Sequence, residues 1–373
     1  MNDKQYKYID TPKPLQQLCQ KLAPLQQIAI DTEGDSYYHY FEKVCLIQIS
    51  AGGQNYIIDP LAKLNLSPLL QILKTRKLIL HGADYDLRLM RQSFNFTPDS
   101  EVFDTMLAAQ LIGCEKLGLM ALVEQFCHAQ LTKEQQTADW TQRPLPQKLL
   151  SYACDDTRYL ATLTEILSRQ LDKKNRLDWH RQSCQRMVRA AAEESASDPE
   201  REWRIKGAGK LSRKKLAFVR AIWYWRDAEA RAADLAPFRI LRNSNIMHLA
   251  SKAAATDKNP LTNGSRLPSN ITPAQRLSLQ QTINHTLTLD PSQYPEQIRS
   301  KRPPDITKQC RLRYESLKQE CDQLAAQLKI DPALIAPRSA LKTIATQNHN
   351  TKPQLKSHTD LLPWQIDLIT PLL

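Results

Sequence analysis

Residues 28–59 read IAIDTEGDSYYHYFEKVCLIQISAGGQNYIID. Three apolar runs, IAID, KVCLIQIS and NYIID, are separated by polar stretches, the last two only by the Gly52-Gly53 turn. Runs of this length with such punctuation read as strands, and two joined by a short glycine-containing loop read as an antiparallel hairpin. An amphipathic helix near 66–75 and a fourth strand, KLILH at 77–81, come next. Helical patterns then dominate from Ala83 to about Ala192. Strands first, then strand–helix alternation, predict an α/β layer with a mixed sheet.

Working outward, that α/β domain takes residues 1–192. The polar, Pro-containing EESASDPERE at 193–202 opens a linker over 193–207. From 208 the chain turns helical and basic, giving one small all-α module over 208–286. A second polar linker at 287–306 precedes another helical module at 307–373. The two modules share an echo, RILRNSNIMHLA beside PALIAPRSALKTIA, which points to a repeat.

A chain of 373 residues is long enough for two or three domains, and 42% apolar residues suffice for their cores. The net charge of +12 favours a polyanionic partner, because phosphate contacts dominate nucleic-acid affinity. The eight cysteines are scattered without a C-x-x-C pair, which suits reduced thiols better than a disulfide frame or a zinc site. The N-terminus lacks an apolar signal core, and no apolar run reaches the roughly 18 residues of a membrane span. A cytoplasmic protein with no membrane partner is expected.

Five polar groups stand in order within apolar surroundings: Asp31 and Glu33 in IAIDTEGDS, Asp86 in LILHGADYDLRLM, and Tyr152 and Asp156 in LLSYACDDTRYL. Burying such groups is costly unless something offsets the desolvation. Asp31 and Glu33, two apart on a strand, share one face, and Tyr152 and Asp156, four apart on a helix, share another. Asp86 lies near a helix start just after the strand KLILH. An oxygen-only donor set favours hard Mg2+ or Mn2+ over zinc. Two such cations about 4 Å apart activate water and stabilise the leaving oxygen of an in-line phosphodiester displacement. With an ordinary tyrosine pKa of about 10, Tyr152 suits orienting the water better than taking its proton. Taken singly, each motif also fits an ordinary surface pair or packed helix face; the ordered set of five does not.

The order D-x-E, then an Asp in HGADYD, then Y-x3-D resembles the three motifs of the DEDD superfamily of 3′–5′ exonucleases. It is the tyrosine variety, because the position where the histidine variety carries its histidine is Ser151 here. DTEGDSYYHYFEKVCLIQIS, IIDPL, FDTMLAAQLIG and ADWTQRPLPQKLLSYACDDTRYL are similar to the ribonuclease D family across residues 25–190. The resemblance implies an RNase H-like fold, two divalent metals and release of nucleoside 5′-monophosphates from RNA 3′ ends. Asp31, Glu33, Asp86 and Asp156 become metal ligands and catalytic residues, with Tyr152 positioning the water. Gly34 departs from the bulkier residue of some relatives. The modules at 208–286 and 307–373 resemble HRDC domains, which implies that they hold structured RNA and contribute no chemistry.

Further candidates surround the motifs. Gln48, unusual in an apolar strand, suits orienting a ligand or binding substrate, and His81 precedes the helix of Asp86. Trp140 and Arg143 precede the third motif and suit the 3′-terminal nucleotides. Asp104 in VFDTM reads as a helix N-cap. Residues 201–226 hold nine Lys/Arg against one acidic residue, interleaved with aromatics. Their aromatics suit a module core, whereas Arg213, Lys214 and Lys215 suit phosphate contacts. The reading that follows is a monomeric, metal-dependent exoribonuclease trimming tRNA precursors and other small structured RNAs. A DNA 3′–5′ exonuclease and an inactive RNA-binding scaffold are the alternatives.

Overall fold

The computed structural model of the protein describes residues 6–131, 138–193, 198–262, 264–297, 307–347 and 349–373. Parts of both predicted linkers, 194–197 and 298–306, lie outside the described residues. The described chain forms two compact units. The first combines 1–34, 43–193 and 305–373; the second combines 35–42 and 194–304. Among the described residues no helix is long and apolar enough to cross a membrane.

Six strands build the sheet of the first unit: β1 (Lys7–Ile9), β2 (Gln27–Gly34), β3 (Val44–Ala51), β4 (Gln54–Ile58), β5 (Lys77–Leu80) and β6 (Val102–Asp104). Their order is β1-β4-β3-β2-β5-β6, antiparallel at β2/β3 and β3/β4 and parallel elsewhere. The mixed sheet and the β3–β4 hairpin are therefore as the sequence predicts. The two strands the sequence pattern missed, β1 and β6, are three-residue edges, too short for alternation to register.

Eight helices accompany the sheet: α1 (Pro12–Leu22), α2 (Ser67–Thr75), α3 (Asp84–Phe94), α4 (Thr105–Ile112), α5 (Leu119–Cys127), α6 (Gln147–Arg158), α7 (Leu160–Lys173) and α8 (Leu177–Ala192). One face of the sheet packs Ile28, Ile30, Ile47, Ile49 and Ile58 against α1, α2 and α3. The other face carries Leu46, Ile57 and Asp31 toward α6. At the β2/β3 pairing the register slips after Glu33, so Cys45 is an extra residue between Val44 and Leu46. Such a bulge bends the strand next to the acidic motif.

Asp104 is the N-cap of α4, as expected, accepting from the Met106 and Leu107 amides. It also accepts from the Gly82 and Ala83 amides, fixing the turn that launches α3. Gly82 sits there at φ +71°, a left-handed conformation that glycine adopts without strain.

The second unit contains α9 (Pro199–Glu202), α10 (Arg213–Ala233), α11 (Pro237–Ile240), α12 (Asn243–Thr256) and α13 (Pro273–Leu287). Trp203, Phe218, Trp223 and Trp225 are buried in its core, as the interleaved aromatics predict, with Ile222, Leu249, Leu279 and Ile283. Residues 35–42 are held here too: Asp234 accepts from the Tyr40 and Phe41 amides, and the Ala236 amide donates to Tyr38 O.

The C-terminal helices are α14 (Lys308–Leu328), α15 (Pro332–Ile335), α16 (Arg338–Gln347), α17 (Lys352–His358) and α18 (Pro363–Ile369). The two helical stretches share a local pattern. α10 and α14 each have 21 residues, end on a left-handed residue (Asp234, Lys329), and are followed by a four-residue helix opening on proline. The second copy keeps its own apolar cluster yet joins the α/β domain in one unit. Trp179 of α8 stacks on Trp364 with centroids 4.7 Å apart, and Arg176 donates to both Leu111 O and Leu328 O. A Cβ on Gly113 would lie 2.0 Å from the Lys329 carbonyl oxygen, so this approach requires glycine.

Asp104→Ala removes acceptors from four amides and is expected to destabilise the fold by about 2 kcal/mol or more. Urea unfolding measures this, and an unchanged midpoint would exclude Asp104 as the clamp between β5, α3 and α4.

Candidate active site

β2 pairs with β5 only through Gln27–Ala29. Beyond Ala29 the strand continues without a neighbour on that side, and Asp86 from the first turn of α3 takes the freed backbone group. Its Oδ1 accepts from the Thr32 amide at 3.0 Å and from the Thr32 hydroxyl at 2.5 Å. Asp31 and Glu33 flank Thr32 and share the opposite face, as their spacing predicts. Above that face lies α6, tied to β3 by a 2.7 Å hydrogen bond between Ser50 and Thr157. Carboxylate oxygens of Asp31, Glu33 and Asp156 come within 4.8 Å of one another. Asp155 is turned instead toward Arg158, 3.9 Å away.

Tyr152, one helical turn before Asp156, is buried among Leu46, Ile57, Leu149 and Trp140. Its ring centroid is 6.1 Å from that of Trp140. The site therefore opens at the carboxyl end of a parallel strand pair, where open α/β sheets place their ligands.

The acidic groups act on one another. Burial pushes the Asp31 carboxyl well above the usual range, and the charges of Asp86, Asp156 and Glu33 push it further. Glu33 is raised likewise by burial, Asp156 and Asp86. Burial raises Asp86 to about 7, although its hydrogen bonds from Thr32 oppose the shift. A site in which Asp31, Glu33 and Asp86 all resist ionisation is a place for cations, and its all-oxygen donor set fits hard divalent ions.

Gln48 adds an independent sign. It stands directly opposite Asp31 in the β2/β3 ladder and is fully buried, with neither amide atom partnered among the described residues. Side chains so opposed share a face, with Cβ atoms about 4.5–5.5 Å apart. An unsatisfied buried amide costs about 1–3 kcal/mol, a cost that packing alone does not explain.

Most of the remaining candidate contacts have partners within the chain. Arg143 donates to both Asp59 oxygens and to the Cys45, Trp140 and Gln142 carbonyls, pinning the segment before α6 to the hairpin. Trp140 is a buried wall behind Tyr152, not an exposed stacking platform. His81 Nδ1 lies 2.9 Å from Thr105 Oγ1, whose own proton goes to Leu80 O; His81 therefore donates through Nδ1. In the second unit Arg213 donates to Tyr294 O and pairs with Glu296, and Lys214 pairs with Asp257. Lys215 is half-buried. Sequence alone could not show these partners, which lie far along the chain.

Asp86 holds its proton more tightly folded than unfolded, where a carboxyl titrates near about 3.9. Its contribution to stability is therefore present at low pH and lost as pH rises through about 7. Mg2+ or Mn2+ should raise Tm more at about pH 8 than at about pH 5, since ions compete with protons for the cluster. Scanning calorimetry with and without metal checks this, and an ion effect independent of pH, or none, would contradict it.

Residues 6–172 match the family described as 3′–5′ exonuclease, and residues 215–260 match the HRDC domain. The ribonuclease D of Desulfotalea psychrophila is 32% identical over 253 residues, covering 66% of this chain and 67% of that protein. The crystal structure of Escherichia coli RNase D matches with a TM-score of 0.72 and 25% identity, covering 100% of this chain and 98% of that one. The catalytic core of RRP6 from Trypanosoma brucei matches with a TM-score of 0.66 and 27% identity, covering 77% and 82%. With the D-x-E, Asp86 and Y-x3-D residues gathered at one site, the chain belongs to the ribonuclease D family and is a 3′–5′ exoribonuclease.

Proposed function

We propose that the protein trims the 3′ ends of tRNA precursors and other small structured RNAs, releasing nucleoside 5′-monophosphates by two-metal-ion hydrolysis. The observation that carries this reading is the convergence of Asp31, Glu33 and Asp156 oxygens beside Asp86, with Tyr152 one turn away on α6. Asp31, Glu33, Asp86 and Asp156 hold the two divalent cations, Mg2+ or Mn2+. Bound there, the cations lower the pKa of water and neutralise charge at the phosphoryl group.

The chain supplies the geometry. The Tyr152 hydroxyl orients the attacking water, and the buried wall of Trp140, Leu46 and Leu149 keeps its ring in one place. Thr32 fixes one Asp86 oxygen and leaves the other for a cation. Gln48 is a positioning residue: fully buried directly opposite Asp31, its amide, unpartnered among the described residues, is available to align that carboxylate, and it touches no substrate. His81 likewise sets the β5–α3 turn through Thr105 rather than reaching substrate. The HRDC domain at 215–260, and the degenerate second copy at 307–373, hold the body of the RNA. The structured-RNA substrate class accords with the E. coli relative, which is an exoribonuclease involved in structured RNA processing.

Matched 3′-labelled RNA and DNA strands with Mg2+ or Mn2+ test the reading. RNA-selective release of mononucleotides is expected, lost in Asp86→Asn; DNA preference would favour the deoxyribonuclease alternative, and no release the scaffold. In Tyr152→Phe, kcat should fall about a hundredfold with little change in KM. Equal losses in kcat and RNA affinity would argue against water positioning.

A further inference from the structure

The second unit exposes an aromatic pair in a cavity of about 490 Å3, a size within the roughly 300–1,000 Å3 of ligand pockets. Tyr37 and Phe238 are 46% and 41% exposed, with ring centroids 5.1 Å apart at 54°. The two rings adjoin, and contiguous exposed apolar surface rimmed by polar residues is a mark of interaction sites. Arg239, Arg242, Asn245 and Asn270 border them, and among the described residues no acidic side chain lines the cavity.

The cations differ in preparation. Arg239 is held in place: Nε donates to Tyr37 O at 2.7 Å, and the guanidinium lies 4.1 Å over the Tyr38 ring. The Asn270 amide donates to Arg239 O, bracing the same short helix, α11. Arg242 is exposed and, among the described residues, engages neither a carboxylate nor a hydrogen-bond acceptor. Flat apolar rings flanked by guanidinium groups match a nucleobase with its phosphate: base–aromatic stacking tolerates any sequence, and arginine pairs with phosphate oxygens. A protein helix docking here would meet an apolar patch only two rings wide, bounded by cations.

We infer that the Tyr37–Phe238–Arg242 cavity is a binding site for a single-stranded nucleotide of the RNA substrate, base on the rings and phosphate on Arg242. The inference rests on the RNA reading above and adds the contact that Arg213 and Lys214, engaged internally, do not supply. Tyr37 follows Glu33 by four positions in the chain, so the segment that carries two metal ligands also carries half of this platform.

The test uses the full chain carrying Asp86→Asn and a fluorescein-labelled single-stranded oligoribonucleotide, with affinity read by anisotropy. Phe238→Ala and Tyr37→Ala should each weaken binding about tenfold, and Phe238→Tyr should restore it to within about twofold. Arg242→Gln should lower the slope of log affinity against log salt by about one. Thermal melting of each variant should match the parent. Unchanged affinity in both alanine variants, while the wild-type enzyme degrades the same RNA, would overturn the inference and leave the face to a protein partner. Loss of affinity that tracks a lowered Tm would overturn it as a purely structural effect. A wild-type chain that neither binds nor degrades RNA would overturn the inference together with the RNA reading.

Discussion

Mutual repulsion among Asp31, Glu33, Asp86 and Asp156 is the constraint on which the rest of this structure depends. Two like charges about 4 Å apart repel by about 4 kcal/mol at an effective dielectric near 20. A cluster of four persists only if rigid elements hold it and protons or cations offset its charge. The rigid elements are visible: a strand paired firmly on one side, a helix start clamped by Asp104, and a second helix bolted down through Ser50 and Thr157. Stability is surrendered at the site, where burial and mutual repulsion oppose ionisation of Asp31 and Glu33.

Several groups that look like substrate contacts in the sequence are part of this holding apparatus. Arg143 and Asp59 form a half-buried ion pair, to which Tyr8 adds a 2.6 Å hydrogen bond. The Tyr8 hydroxyl is correspondingly hard to ionise, raised by burial and by its bond to Asp59. The network ties the approach to α6 onto the hairpin and so sets the height of Tyr152 and Asp156 above the sheet. His180, buried against Phe103 and 2.9 Å from Asp104 O, braces the edge strand β6 against α8.

The two helical repeats have diverged in use. The first encloses residues 35–42 and keeps an exposed aromatic pair; the second packs Trp364 and Leu362 with apolar residues of the α/β domain and bonds α8 through the Trp364 amide and Gln365 Oε1. The long helix, left-handed stop and proline-led short helix recur in both sets of helices, which differ in what they pack against.

The sequence by itself determined the local elements and the identity of the five motif residues. Strand alternation, the glycine turn and the spacing of D-x-E and Y-x3-D are short-range properties, set by backbone periods of two and about 3.6. Asp104 was legible as a cap for the same reason, its first partners being two and three residues away. Tertiary structure alone decided which polar groups remain available. Arg143 meets Asp59, Arg213 meets Tyr294 and Lys214 meets Asp257 across long loops, and no local pattern announces those pairings. It also decided that Gln48 faces Asp31 without a partner, and that Tyr37 meets Phe238, since side-chain juxtaposition depends on register and chain return rather than on residue type.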